Sequence, residues 1–329
     1  MTPRGFHEFD SDDYEEYAAA FDPLKTDRQA RRKRKLKPHH TPKKSREQQL
    51  AELADVDAIE AGLNITYTPA RHEAEWLASS LQTFFLQDYI RDVLAKVKGG
   101  KEANVYRCEA APHIGMPFLA AKVYRPRMFR NLRQDHRYRE GRQMLDEAGK
   151  FIKNNEQRIL RALHKKTSFG EQVSHTSWLM YEYRLLQELY AAGGAVPKPV
   201  AIDTNAVLMA YIGDADMPAP TLNNIELSSA EAQRLFNVVL LNIELMLQRG
   251  WVHGDLSAYN ILYWEDTITI IDFPQVVEVV TNTQADHIFK RDVERVCDYF
   301  SAQGVGCDFL EIAAELWDKH VGFSPNERL

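Results

Sequence analysis

Trp251-Val252-His253-Gly254-Asp255-Leu256-Ser257-Ala258-Tyr259-Asn260, followed by the run Thr267-Ile268-Thr269-Ile270-Ile271-Asp272, is the stretch whose reading decides the fold. Asp255 follows an apolar helical segment, on a loop where its carboxylate can accept a hydrogen bond from an attacking hydroxyl. Asn260 offers an uncharged oxygen to a hard cation. The alternating run 267–271 reads as a strand, and its end delivers Asp272, a second carboxylate, to the same cation. Magnesium takes a few oxygen ligands and keeps water and phosphate oxygens for the rest. The spacing is that of phosphoryl transfer. Taken alone, Asp255 is a cap or turn residue and Asn260 a turn former. The functional reading wins because position as well as residue type is met at Asp255, Asn260 and Asp272 together. His253 is expected to brace the loop by hydrogen bonding rather than to titrate in catalysis.

The preceding half of the chain supplies backbone donors for phosphates and a cation to clamp them. Gly99-Gly100-Lys101-Glu102-Ala103-Asn104-Val105-Tyr106 lies between apolar Leu94-Ala95-Lys96-Val97 and strand-like Asn104–Cys108, a hairpin signature. Two glycines let the backbone approach an anion, although a Gly-Gly pair is ordinarily only a turn. Phe118-Leu119-Ala120-Ala121-Lys122-Val123-Tyr124 carries one lysine inside an apolar run. Its ordinary reading is an edge or solvent-facing lysine; its functional one is the V-A-I-K pattern, whose lysine reaches phosphates and pairs with a helix glutamate. Leu179, Leu185, Leu186 and Leu189 recur with helical period, and Gly193-Gly194 ends that helix. Glu182 and Glu188 are both candidates for the lysine's partner, and order along the chain favours Glu182.

From about Leu94 to about Phe300 the sequence resembles the RIO family of atypical serine/threonine protein kinases. The resemblance rests on Gly100-Lys101-Glu102-Ala103-Asn104-Val105-Tyr106, Gly213-Asp214-Ala215-Asp216-Met217-Pro218-Ala219-Pro220, the loop His253–Asn260, Ile271-Asp272-Phe273-Pro274-Gln275 and the helical run Asp286–Phe300. Met-Pro-Ala-Pro is similar to the first RIO subfamily and Asp-Phe-Pro-Gln to the second, as in a divergent bacterial or archaeal-type member. The resemblance implies an α+β, bilobal protein-kinase-like fold with a small β-rich N-lobe and a truncated helical C-lobe. The absence of an A-P-E motif after Asp272 agrees with this, and Pro274 replaces the glycine of D-F-G. Carried over position by position, it implies ATP and Mg2+, or Mn2+ in its place. Gly99, Gly100, Lys101 and Val105 would cover the nucleotide, Lys122 would bind phosphates with Glu182 as its partner, and adenine would lie at the hinge of Met209, Ala210, Tyr211 and Ile212. Asp255 would be the catalytic base, Asn260 and Asp272 the metal ligands, and Asp272 also the site of a phosphoaspartate during ATP hydrolysis. Lys98-Gly99 stands where the family commonly has Ser-Thr, and the added lysine can serve as a phosphate contact.

With 329 residues and 44% hydrophobic residues, the chain can bury a two-lobed core. Expected divisions are a disordered charged tail at 1–50, a helical extension at 51–93, an N-lobe at 94–209 with a flexible insertion near 125–174, and a hinge and C-lobe at 210–329. Apolar Trp76, Leu77, Leu81, Phe84, Phe85, Tyr89 and Ile90 should pack the extension on the first lobe. Cys108, Cys297 and Cys307 form no paired disulfide or metal-ligand pattern, so a reducing cytoplasm is the expected setting. No apolar amino-terminal signal is present, and the apolar segment Leu235–Leu247 is interrupted by Asn237, Asn242 and Glu244, so no membrane contact is expected.

The net charge of −6 conceals an acidic patch, Glu8 to Asp22, followed by a basic block from Arg28 to Arg46. Such a block is either a solvated tail or a segment that attracts RNA phosphates by counterion release. By resemblance its ligand would be ribosomal RNA of a maturing small subunit. A second arginine-rich stretch includes Arg127, Arg130, Arg133, Arg137 and Arg139. Family members carry autophosphorylation in that insertion, where Thr167, Ser168 and Ser174 offer hydroxyls. Two other readings share the His-Gly-Asp, Asn and Asp pattern: a small-molecule phosphotransferase of the aminoglycoside or choline kinase type, and a nucleotide-gated RNA- or ribosome-binding module. Gly-Lys-Glu-Ala-Asn-Val-Tyr and Met-Pro-Ala-Pro favour a RIO-type kinase or ATPase acting on protein or on itself.

Overall fold

The structure, a computed structural model, describes residues 64–69, 71–100, 102–125 and 167–322, and the single positions Leu145, Ile152, Ile159, Arg161 and Lys165. The charged tail, the start of the extension, Lys101 and the Arg127–Arg139 stretch lie outside the described residues. All described residues belong to one compact unit.

The first lobe is a six-stranded sheet. Its strands are β1 (Asn64–Ile65), β2 (Ile90–Gly99), β3 (Ala103–Ala110), β4 (Phe118–Tyr124), β5 (Pro199–Asp203) and β6 (Ala206–Ala210), in the order β1-β2-β3-β4-β6-β5. β1 runs parallel to β2, and every other neighbouring pair is antiparallel. Helix α1 (Arg71–Leu86) covers one face of this sheet because Leu77, Leu81 and Phe84 fall on one side of the helix. They pack with Val93, Tyr106, Cys108 and Leu119 in one apolar cluster. Full burial of each such side chain is worth about 1.5–3 kcal/mol.

Helix α2 (Ser168–Ala191) joins the two lobes. Its Trp178, Leu179 and Tyr183 pack with Tyr124 and Val207 of the sheet, whereas Leu185, Leu186 and Leu189 enter the core of the second lobe. That core is built on α3 (Ser229–Gln248), α4 (Ala285–Ala302) and α5 (Phe309–His320), with two small antiparallel pairs. β8 (Ile261–Trp264) pairs with β9 (Thr267–Ile270), and β7 (Trp251–Val252) with β10 (Val277–Glu278). A capping box starts α3, in which the Ser228 side chain accepts from the Glu231 N–H and the Glu231 carboxylate accepts from the Ser228 N–H at 3.1 Å. The polar interruption at Asn242 is buried and satisfied: its Nδ2 donates to the Val238 carbonyl at 2.8 Å and its Oδ1 accepts from the Ala195 N–H at 2.7 Å. Among the described residues no helix is long and apolar enough to cross a membrane.

Two boundaries differ from the sequence reading. β2 begins at Ile90, ahead of the expected Leu94, because residues 90–93 pair with residues 108–110 of β3. α2 begins at Ser168, ten residues before Trp178, because the Thr167 hydroxyl caps it by accepting from the Gly170 N–H at 3.1 Å. Ser168 and Ser174 therefore stand in helix rather than in a loop.

Candidate nucleotide site

A cleft of about 690 Å³ opens between the sheet and the helical lobe. Strand register decides what reaches it. On β4, Lys122 lies opposite Val105 of β3 and Val207 of β6, in the middle of the sheet rather than at an edge. The Lys122 ammonium sits 2.7 Å from Glu182 Oε1 and 2.6 Å from Asp272 Oδ1. Glu182 is buried on α2, and its other oxygen accepts from the Tyr124 hydroxyl. Glu188, the alternative partner, instead pairs with Arg184 at 2.8 Å on an exposed face.

Charge and burial oppose each other at this centre. Burial works against the Lys122 charge, but Asp272 and Glu182 outweigh it and hold its pKa well above the usual lysine value. Burial likewise disfavours ionised Asp272, yet the adjacent Lys122 ammonium holds its carboxyl below the ordinary range. Both groups are therefore charged near neutrality.

Gly100, Val105, Lys122, Glu182, Met209, Tyr211, Ile212 and Asp272 all line the cleft, as does Lys98. Gly99, Asp255 and Asn260 are not among its lining residues. Gly99 closes β2, and the Gly100 N–H is already used, donating to Asn104 Oδ1 at 3.3 Å. Glycine is required at position 100 because a Cβ there would stand 2.7 Å from the Ala103 carbonyl oxygen.

Asp255 lies on the loop after β7, four residues before the cleft residue Tyr259. Asn260 Nδ2 donates to the Asp255 carbonyl at 2.9 Å and to its Oδ2 at 3.2 Å, which leaves Oδ1 as the acceptor atom of the amide. The Asn260 carbonyl in turn accepts from the Ile271 N–H at 2.9 Å, tying this loop to the chain that carries Asp272. His253 is buried, and burial pushes its pKa down to about 4. Its Nε2 meets the Ile271 carbonyl at 3.3 Å and its Nδ1 the Asp255 N–H at 3.3 Å, contacts that suit one neutral tautomer and hold both strands of the site.

Three further residues, all on α4, grip the same loop. Asp292 Oδ2 accepts from the Gly254 N–H at 2.7 Å, Arg291 donates to the Gly254 carbonyl, and Arg295 Nη1 meets Asp255 Oδ1 at 2.8 Å. Gly254 permits this at φ +84°, where a Cβ would fall 2.1 Å from the Gln275 carbonyl oxygen. Sequence reasoning passed over these charges. Asp292 did carry a signal, since it shares an inward stripe with Ile288, Phe289, Val293 and Val296, where a carboxylate must find buried partners.

A lysine on a central strand, a helix glutamate, a loop aspartate with its asparagine and a strand-end aspartate define the bilobal protein-kinase-like fold. Residues 104–312 match the family profile described as RIO domain. The chain belongs to the RIO family. It is 31% identical over 230 residues to a serine/threonine-protein kinase RIO1 of Chaetomium thermophilum, an alignment covering 67% of this chain and 41% of that protein. A RIO-type serine/threonine-protein kinase Rio1 of Haloferax volcanii is 28% identical, over 64% of each chain. The human serine/threonine-protein kinase RIO1 is 28% identical over 65% of this chain and 35% of its own length. The chain thus spans less than two thirds of the length of these relatives.

Proposed function

We propose that this chain transfers the γ-phosphoryl group of ATP, with Mg2+, to serine or threonine hydroxyls of a protein or of itself. We propose also that it hydrolyses ATP as a switch on a precursor of the small ribosomal subunit. The observation that carries the reading is the Lys122 ammonium held between Glu182 and Asp272 at 2.7 and 2.6 Å. A fixed cation beside a carboxylate and a neighbouring amide oxygen is the donor set that a metal–triphosphate complex requires. The relatives' names, serine/threonine-protein kinase in each case, support the choice of acceptor over a small alcohol.

In this reading Glu182 orients Lys122 toward the phosphates, and Met209, Tyr211 and Ile212 receive the adenine. Asn260 and Asp272 would hold the metal, which when bound neutralises charge on the phosphate oxygens. Asp255, steadied by Asn260 and Arg295, accepts the proton of the acceptor hydroxyl. Positioning and charge neutralisation do most of the catalytic work, since phosphoryl transfer leaves little covalent chemistry to the protein. The basic block from Arg28 to Arg46 supports an RNA ligand by its charge alone. Free Cys108, Cys297 and Cys307 accord with a reducing cytoplasm.

The test is transfer from radiolabelled ATP to the chain itself, to ribosomal subunits and to small alcohols. Asp255→Ala should lower transfer by about 10² to 10⁴ while thermal unfolding stays near that of the wild type. Undiminished transfer removes Asp255 from the mechanism, and labelling of the alcohols alone replaces the protein-kinase reading with the small-molecule one.

A further inference from the structure

We infer that Glu73, on α1 and outside the residues 104–312 that match the family, is a positioning residue for the cleft-facing turn between β2 and β3. The inference rests on the reading of the cleft as an ATP site. Glu73 is not among the residues lining the cleft; it acts through Asn104.

Asn104 is buried, at 2% exposure, and both ends of its amide are engaged. On one side its Nδ2 donates to Glu73 Oε1 at 3.2 Å and to the Tyr106 hydroxyl at 2.9 Å. That hydroxyl donates to the same Glu73 oxygen, which also receives the Lys96 ammonium at 3.0 Å. On the other side Oδ1 accepts from the Gly100 N–H and from Arg125 Nη2, each at 3.3 Å. With an acceptor on one side and donors on the other, only one of the two amide orientations is satisfied. The Glu73 carboxylate selects it together with the Gly100 and Arg125 donors.

Without that carboxylate the buried amide nitrogen loses an acceptor, and a flipped amide would set its N–H groups against the Gly100 N–H. Either outcome loosens the turn, whose tightness is visible in the close approach of Gly100 to the Ala103 carbonyl. Lys98, Gly100, Glu102 and Ala103 of that turn line the cleft. A residue of the amino-terminal extension therefore fixes the lip under which the phosphates would lie.

Wild type, Glu73→Ala, Glu73→Gln and Glu73→Asp are compared by titration calorimetry with Mg-ATP, steady-state kinetics and thermal unfolding. Glu73→Ala should raise Kd and KM for ATP about tenfold with kcat within about twofold. Glu73→Gln still accepts from Asn104 and should stay within about twofold of wild type, whereas Glu73→Asp keeps the charge but is one methylene short and should fall between. Wild-type affinity in Glu73→Ala overturns the inference whatever its thermal stability. If Glu73→Ala does not fold, the other pair decides: weaker binding by the Asp variant than by the Gln variant supports the inference, and the reverse order overturns it. A wild-type chain that binds no ATP sinks the reading of the cleft, and this inference with it; equal affinity across the variants sinks the inference alone.

Discussion

Asp272 holds φ +74°, a conformation that costs a residue bearing a Cβ about 1–2 kcal/mol. The strain turns the chain after β9 so that the carboxylate meets Lys122. Replacing Asp272 by Gly and by Ala removes the same ion pair, but only glycine relieves the backbone. The Gly variant should therefore be more stable than the Ala variant by about 1 kcal/mol in urea denaturation, with phosphoryl transfer lost in both. Equal stabilities would show that the strain is absent. At this scale much was readable in advance, because Lys122, Glu182 and Asp272 are each tied to a local pattern: an apolar strand, a helical repeat, an alternating run. The choice between Glu182 and Glu188 also follows from helix geometry, since six positions at about 100° each set them about 120° apart. Only one of them can face β4. The engagement of the Gly100 N–H by Asn104 was not readable, because it depends on where α1 places Glu73.

α4 works as an element through Asp292 and Arg295, which reach the Gly254–Asp255 loop from one helical face. Asp292 and His253 both hydrogen-bond backbone N–H groups of that loop, those of Gly254 and Asp255, and titrate in opposite senses. Burial raises the Asp292 carboxyl to about 7 despite Arg291 and the Gly254 N–H, whereas burial lowers His253 to about 4. Between about 4 and 6.5 the unfolded chain holds the proton that folded His253 lacks, so this histidine makes stability fall as pH falls. Between about 3.8 and 7 folded Asp292 holds a proton that the unfolded chain has released, so this aspartate makes stability fall as pH rises. The two slopes offset each other across their shared window. Asp292→Asn removes one of them, and its stability relative to wild type should climb by about 1.4 kcal/mol per pH unit from 4.5 to 6.5. Urea denaturation at three pH values checks this; a constant difference would mean that Asp292 is ionised throughout. The helix itself was legible from its apolar stripe. What its charged residues do was not, because loop and helix are brought together only by tertiary packing.

The described residues of the molecule form the cores of two lobes, joined by α2 and by the ion pair that Lys122 makes across the cleft to Asp272. Lobes and class were legible because motif order along the chain fixes which lobe each segment serves; the depth of their mutual approach was not. Among the described residues lining the cleft, Lys98 and Lys122 face three carboxylates, those of Glu102, Glu182 and Asp272. Such a lining does not favour a bare triphosphate. Chelating the metal should weaken ATP binding by about tenfold or more, measured by calorimetry with and without EDTA. Unchanged affinity would mean that the lysines alone hold the nucleotide.

The tie between Lys122 and Asp272 has a consequence for selectivity. A groove of unpaired cations gathers any polyanion, nucleic acid strands and inorganic polyphosphates included. Here the central ammonium, that of Lys122, already has its counter-ions, so a guest that displaces Asp272 from it would have to bring positive charge of its own in exchange. On the proposed reading the pocket would sort its visitors by whether they arrive metallated, before any bond is made or broken.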